Sequence, residues 1–180
     1  MGTSQVIYAL AALVIAAILS FQFLLGSRTA NSRVHSNEIL TQVSGVATEI
    51  IEDIGSRAFD NRTREDLFET SPDSAGELTD PADFGTLSPY SMEECDSLCM
   101  DIDDYHGQIF QAEHDGIDFE VGITVRYVDP DNPETVSGGK TFAKEVILGI
   151  TNPNIYREGN PDSLITIEVG RVFTYFKTTI

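Results

Sequence analysis

Positive charge is what this chain has least of: 11 lysines and arginines stand against 29 acidic residues in 180 positions, a formal net charge of −18. Phosphate recognition needs clustered basic side chains, so nucleic acid is not an expected partner. Two cysteines are too few for a disulfide-stapled miniprotein and cannot build a zinc site of four thiolates. With three histidines, no phosphate-cradling glycine-rich motif and no Gly-x-Ser-x-Gly elbow, neither an enzyme nor a bound cofactor is expected. Hydrophobic residues at 41% and charged residues at 22% exclude wholesale disorder and a multi-pass membrane protein.

Charge of either sign is absent from residues 1–27, and there the sequence turns informative. Val6–Leu25 is apolar apart from Ser20 and Gln22. About 20 such residues make roughly 30 Å of helix, the thickness of a bilayer's hydrocarbon core. Nothing basic precedes the run, which argues against a conventional cleaved secretory signal. Beyond it Val34, Leu40, Val43, Ala47, Ile50 and Ile54 recur at spacings that suit one helix face. No proline occurs before Pro72, so one helix from near Thr3 to near Ile54 is predicted, with Gly26-Ser27 its weakest point and Gly55 a stop. One plain reading is a transmembrane anchor followed by a juxtamembrane helix.

MGTSQVIYALAALVIAAILS resembles the N-terminal assembly helix of type IV pilins and pseudopilins, and Ala47–Asn61 is similar to the end of that helix. The resemblance implies an α+β fold, a long N-terminal helix (apolar, then amphipathic) packed on an antiparallel β-sheet head. It also implies a structural subunit of an extracellular filament, membrane-anchored before assembly. The implied partners are identical subunits in a helical homopolymer, the inner membrane and a pilus-type export machinery. Gln5, Leu10, Leu13, Val14 and Ile18 would belong to the assembly helix. With Met1 as the first mature residue, Gln5 stands where pilins usually carry a glutamate; it can hydrogen-bond but cannot neutralise an amine. The alternatives are a single-pass membrane-anchored extracytoplasmic protein, from another class, and a secretion-system pseudopilin, a variant of the filament subunit.

The expected divisions are a hydrophobic helix over 1–27, its amphipathic half over 28–56, an acidic connector over 57–104 and a sheet head over 105–180. The connector is rich in Asp, Ser, Thr, Gly and Pro and reads as a long loop with a helical turn at Arg64–Glu69. Strands are predicted at Tyr105–Gln111, Phe119–Asp129, Thr141–Thr151 and Leu164–Phe176. In the second, Phe119, Val121, Ile123, Val125 and Tyr127 share one face. Asp129–Gly139 and Thr151–Pro161 read as exposed hairpin loops, which makes the sheet antiparallel.

Four smaller features carry chemistry. Cys95 and Cys99 read either as a disulfide across a short loop or as two reduced thiols one helical turn apart. Asp101, Asp103 and Asp104 are weak Ca²⁺ candidates by their oxygen ligands, and His106 and His114 suit a transition metal; the competing reading is a solvated acidic loop, with no metal. Asn61-Arg62-Thr63 is a glycosylation sequon. Arg64, Lys140, Lys144 and Arg157 are candidate partners for acids across contacts between subunits.

All acidic residues lie beyond Ser27, so a polymer would crowd negative heads together. Repulsion is screened over about 8 Å at physiological ionic strength but over about 30 Å at 0.01 M. Filament length and melting temperature across a salt series should therefore fall on dilution, and either Na⁺ or Ca²⁺ should restore them. A flat response would mean that the acids are already paired or face apart.

Overall fold

The computed structural model describes the backbone of residues 2–64, 72–87, 91–157 and 160–176, and their side chains except at 3–7, 9–12, 24–37, 96, 153–157 and 160–163. The chain divides into two compact units, Met1–Gln42 and Val43–Ile180. Helical backbone runs over Thr3–Ser56 (α1). In the second unit, β1 (Ile109–His114), β2 (Ile117–Tyr127), β3 (Ala143–Arg157) and β4 (Asn160–Thr174) form a four-stranded antiparallel sheet in the order β1-β2-β3-β4.

The expected fold class needs correcting. The fold does not use a long, apolar-then-amphipathic helix as one element laid on the head. The helical stretch described side chain by side chain into the packed region is short, about 19 residues over 38–56. Only its part beyond residue 42 belongs to the unit that holds the sheet. Among the described residues no helix is long and apolar enough to cross a membrane. The reason lies in the pattern. Val43, Val46, Ala47, Ile50, Ile51 and Ile54 form a buried stripe at helical spacing, whereas the described run 13–23 is exposed all round.

That stripe covers the sheet. A Cβ on Gly45 would stand 2.7 Å from His114 Nε2 on β1, and one on Gly55 would stand 2.9 Å from Phe173 on β4. The helix therefore spans the sheet from its first strand to its last, with glycine at the two close approaches. Below it, Phe119, Val121, Ile123, Val125 and Tyr127 are all buried, which is the face that strict alternation predicts. On β3 the same face carries Val146, Leu148 and Ile150.

Several strand boundaries depart from expectation. Tyr105 belongs to a short 3-10 turn, Ile102–Tyr105, and β1 starts four residues later. Its backbone is claimed locally: Asp101 Oδ1 accepts from the N–H groups of Asp103 (2.9 Å) and Asp104 (3.2 Å). The supposed loop at Thr151–Pro161 is strand over most of its length, since β3 runs to Arg157 and β4 starts at Asn160. Prolines persist there because pairing becomes irregular after Thr151, where the register shifts. The segment 128–142 does leave the sheet, with a single bridge between Val128 and Val136. The turn expected at Arg64–Glu69 lies outside the described residues beyond Arg64.

The connector is held by specific backbone contacts. Gly85 has φ +62° and its N–H donates to the Asp103 carbonyl at 3.0 Å. A Cβ there would collide with the His106 carbonyl oxygen. Gly107 also has positive φ (+75°), but open space surrounds its missing Cβ. Gly85→Ala should thus lose about 2–5 kcal/mol, strain plus clash, and Gly107→Ala only about 1–2 kcal/mol. Urea unfolding of the two variants checks this; equal losses would mean that the contact at Gly85 relaxes freely.

Candidate functional site

Where β3 enters the core, the inward face carries a lysine. Lys144 shares the alternation of Val146, Leu148 and Ile150, pairs in register with Tyr127 and is wholly buried. A buried ammonium is costly unless each proton finds an acceptor. All three do: Lys144 Nζ donates to the Phe59 carbonyl at 2.8 Å, to Asp60 Oδ2 at 2.9 Å and to Asp103 Oδ2 at 2.7 Å. The rings of Phe59, Tyr127 and Phe84 surround it, with centroids 4.5, 5.1 and 5.3 Å from Nζ. Their electron-rich faces add attraction while keeping water out.

Each acid is placed by its own local structure. Asp60 caps the 3-10 turn Asn61–Thr63, accepting from Arg62 N–H at 3.0 Å. It also accepts from the Thr79 N–H at 2.9 Å and the Thr79 hydroxyl at 3.1 Å, with the Tyr127 hydroxyl at 3.4 Å. Asp103 sits in the turn capped by Asp101, which points it inward; Asp104 Oδ2 in turn accepts from Met100 N–H at 2.8 Å.

The two partners of Lys144 hold protons differently. Burial pushes Asp60 up, but Lys144 and the converging N–H donors outweigh it and hold this carboxyl below its ordinary range. Burial pushes Asp103 up to about 8 despite the opposing pull of Lys144, with smaller repulsion from Asp101 and Asp60 added. Burial and Asp104 raise Asp101 to about 6. One cation is thus balanced by one carboxylate, Asp60, while the second carboxyl is cheaper to keep neutral.

The sequence candidates fare unevenly. Asp101, Asp103 and Asp104 do not form a solvated loop: Asp101 and Asp103 are buried, and the three acids serve backbone N–H groups and Lys144. Among the described residues no group of three potential ligands is arranged to hold a metal ion. His106 Nδ1 accepts from Val125 N–H at 3.0 Å, and His114 lies against Gly45. Cys95 and Cys99 are joined by a disulfide at the end of α2 (Met92–Leu98), both fully buried. Asn61 is exposed in its turn, open to a glycan. Leu13, Val14 and Ile18 are exposed, whereas the side chains of Gln5 and Leu10 lie outside the described residues. Lys144, expected among surface cations, is the opposite; Lys140 donates to the Leu78 carbonyl at 2.8 Å. The side chain of Arg157 lies outside the described residues.

A second tie sits nearby. The buried Tyr105 hydroxyl donates to Asp53 Oδ2 at 2.8 Å, and Arg57 pairs with Asp53 Oδ1 at 3.0 Å. It fastens the last turns of α1 to the 3-10 turn that carries Asp103. No protein-family model, curated protein or solved structure matches this chain.

Removing one partner of such a buried pair costs more than the pair contributes, because a bare charge remains. Lys144→Met should lower unfolding free energy by about 3–5 kcal/mol. Adding Asp60→Asn and Asp103→Asn should restore most of it. A Lys144→Met loss under about 1 kcal/mol in urea titration would show that water reaches the site.

Proposed function

We propose that this protein is a structural subunit of an extracellular filament, polymerising with identical copies through the apolar part of α1. One observation carries this reading: the described run 13–23 presents large apolar side chains on every side, with Leu13 68%, Leu19 61% and Phe23 77% exposed. Such a surface left in water would drive aggregation. Each large side chain gains roughly 1.5–3 kcal/mol on burial, so the run as a whole strongly favours a partner.

The partner's chemistry follows from the run itself. It carries no charge, and Ser20, one of its two polar residues, turns its hydroxyl back on the Ala16 carbonyl at 2.8 Å. Nothing on it selects a polar ligand. A second copy of the same uncharged helix offers a matching surface, packed by side-chain interdigitation as in any helix bundle. The acidic residues all lie beyond it, which suits a polymer with an apolar centre and a negatively charged exterior. The proposed location is the cell surface.

Leu13→Asp places a carboxylate in what would be a water-free helix bundle, at a cost of several kcal/mol. Negative-stain microscopy should show filaments for the unsubstituted protein and none for this variant. Normal filaments from Leu13→Asp would remove the reading, because only an unpacked helix tolerates that charge.

A further inference from the structure

The contact between Lys144 and Asp103 is more than a salt bridge in its geometry. Nζ lies 2.7 Å from Oδ2 and 2.7 Å from Oδ1. Only the first is aligned as a hydrogen bond, and Oδ1, although buried, has no hydrogen-bond partner. A nitrogen 2.7 Å from both oxygens is held close to the carbon between them, the proximity that acyl transfer requires. Lys144 is wholly buried, Asp103 nearly so, and three rings exclude water from the amine.

We propose that Lys144 and Asp103 join in an intramolecular amide bond between Nζ and Cγ, with Asp60 as the proton acceptor. The step balances without any oxidant or co-reactant. Asp60, ionised, takes one proton from the Lys144 ammonium. The freed lone pair attacks Cγ of the neutral Asp103 carboxyl, forming the C–N bond. The hydroxyl then leaves with the second nitrogen proton as water. The products are one amide, one water and a protonated Asp60, so a cation and an anion in the core are replaced by neutral groups.

The surroundings suit each part. The raised proton affinity of Asp103 keeps its carboxyl in the form that can lose water, and the lowered one of Asp60 keeps it ready to accept a proton. The Phe59 carbonyl retains one N–H throughout and so turns the amine toward Asp103. A cleft of about 440 Å³ reaches Asp101, Asp103 and Asp104 from outside and gives the released water an exit. The link goes beyond the filament reading and stands whether or not the chain polymerises.

Peptide mass mapping of the full-length protein, reduced and digested with trypsin, decides. An acylated lysine is not cleaved, so peptide 65–126 should appear joined to peptide 141–157, lighter by one water than their sum. Fragmentation should place the junction at Asp103 and Lys144. Free peptides ending at Lys144, with full mass on 65–126, would overturn the proposal. So would a missing water confined to 65–126 with cleavage after Lys144 intact, since Asp103 would then have cyclised on its own backbone. Asp60→Asn tests the proton acceptor: shortly after synthesis its linked fraction should be at least tenfold lower than in the unsubstituted protein. Complete linkage in Asp60→Asn would overturn that role. Lys144→Arg should give no joined peptide under any condition, and a joined species there would overturn the assignment of the nitrogen.

Discussion

A lysine ammonium held out of water among two carboxyls and three rings is the constraint on which the rest of the second unit depends. It lies 84 residues from Asp60 and 41 from Asp103 in sequence, so one atom gathers three distant segments. An apolar side chain at that point of β3 would also fill the core. It would not, however, tell the connector where to sit. Among the described residues between the helix and β1, regular structure is limited to α2 and short 3-10 turns, and polar anchors of this kind help to fix their position. Thr79 on Asp60, Gly85 on Asp103 and Gln108 on the Leu87 carbonyl (2.7 Å) all radiate from the same region. A buried ion pair is weak evidence of stability but a strong device for register, because every wrong register strands a charge.

The helix that covers this same face of the sheet is held differently. Its stripe from Val43 to Ile54 lies on the sheet mainly through apolar side chains, with glycines where the two come closest. Apolar contact is non-directional and supplies most of the burial. The Tyr105–Asp53–Arg57 tie joins the two regimes, fixing the helix end against the turn that carries Asp103. Hydrophobic cover sets how stable the unit is, and the polar ties set which arrangement is stable.

Much of this was legible in the sequence where a period was strong. The alternation of Phe119 through Tyr127 gave a core face that the structure places inside. The same rule applied to β3 puts Lys144 inward beside Val146, Leu148 and Ile150, and that signal passes unread when every charge is assigned to solvent. Asp60 and Asp103 had no such signal. In a chain with 29 acidic residues nothing local marks the two that are buried; only the return of β3 beside the connector does so. The long helix with a packed head misled for a different reason. Helical spacing continued from one stretch to the next, but periodicity reports a face, not whether anything lies against it. The strands through Pro153 and Pro161 show the same limit, since proline breaks an even ladder more readily than an irregular one.

The position of Asp60 has a mechanical meaning in any assembly held by its N-terminal part. Asp60 follows the last helical residue, Ser56, by four positions, and it is the first residue of the connector tied to the sheet by charge. A pull entering at the end of α1 would load this tie together with the Asp53 tie and the helix's contacts with the sheet. Three hydrogen-bonded acceptors around one buried ammonium resist such a pull together, since moving any one leaves the cation short of a partner. A covalent closure between residues 103 and 144 would add to this by restricting the unfolded chain, by roughly 4 kcal/mol for a loop of that size. Ions in solution act mainly on the exposed acids, so repulsion between copies in the proposed polymer and the integrity of each copy would be governed by largely separate sets of charges.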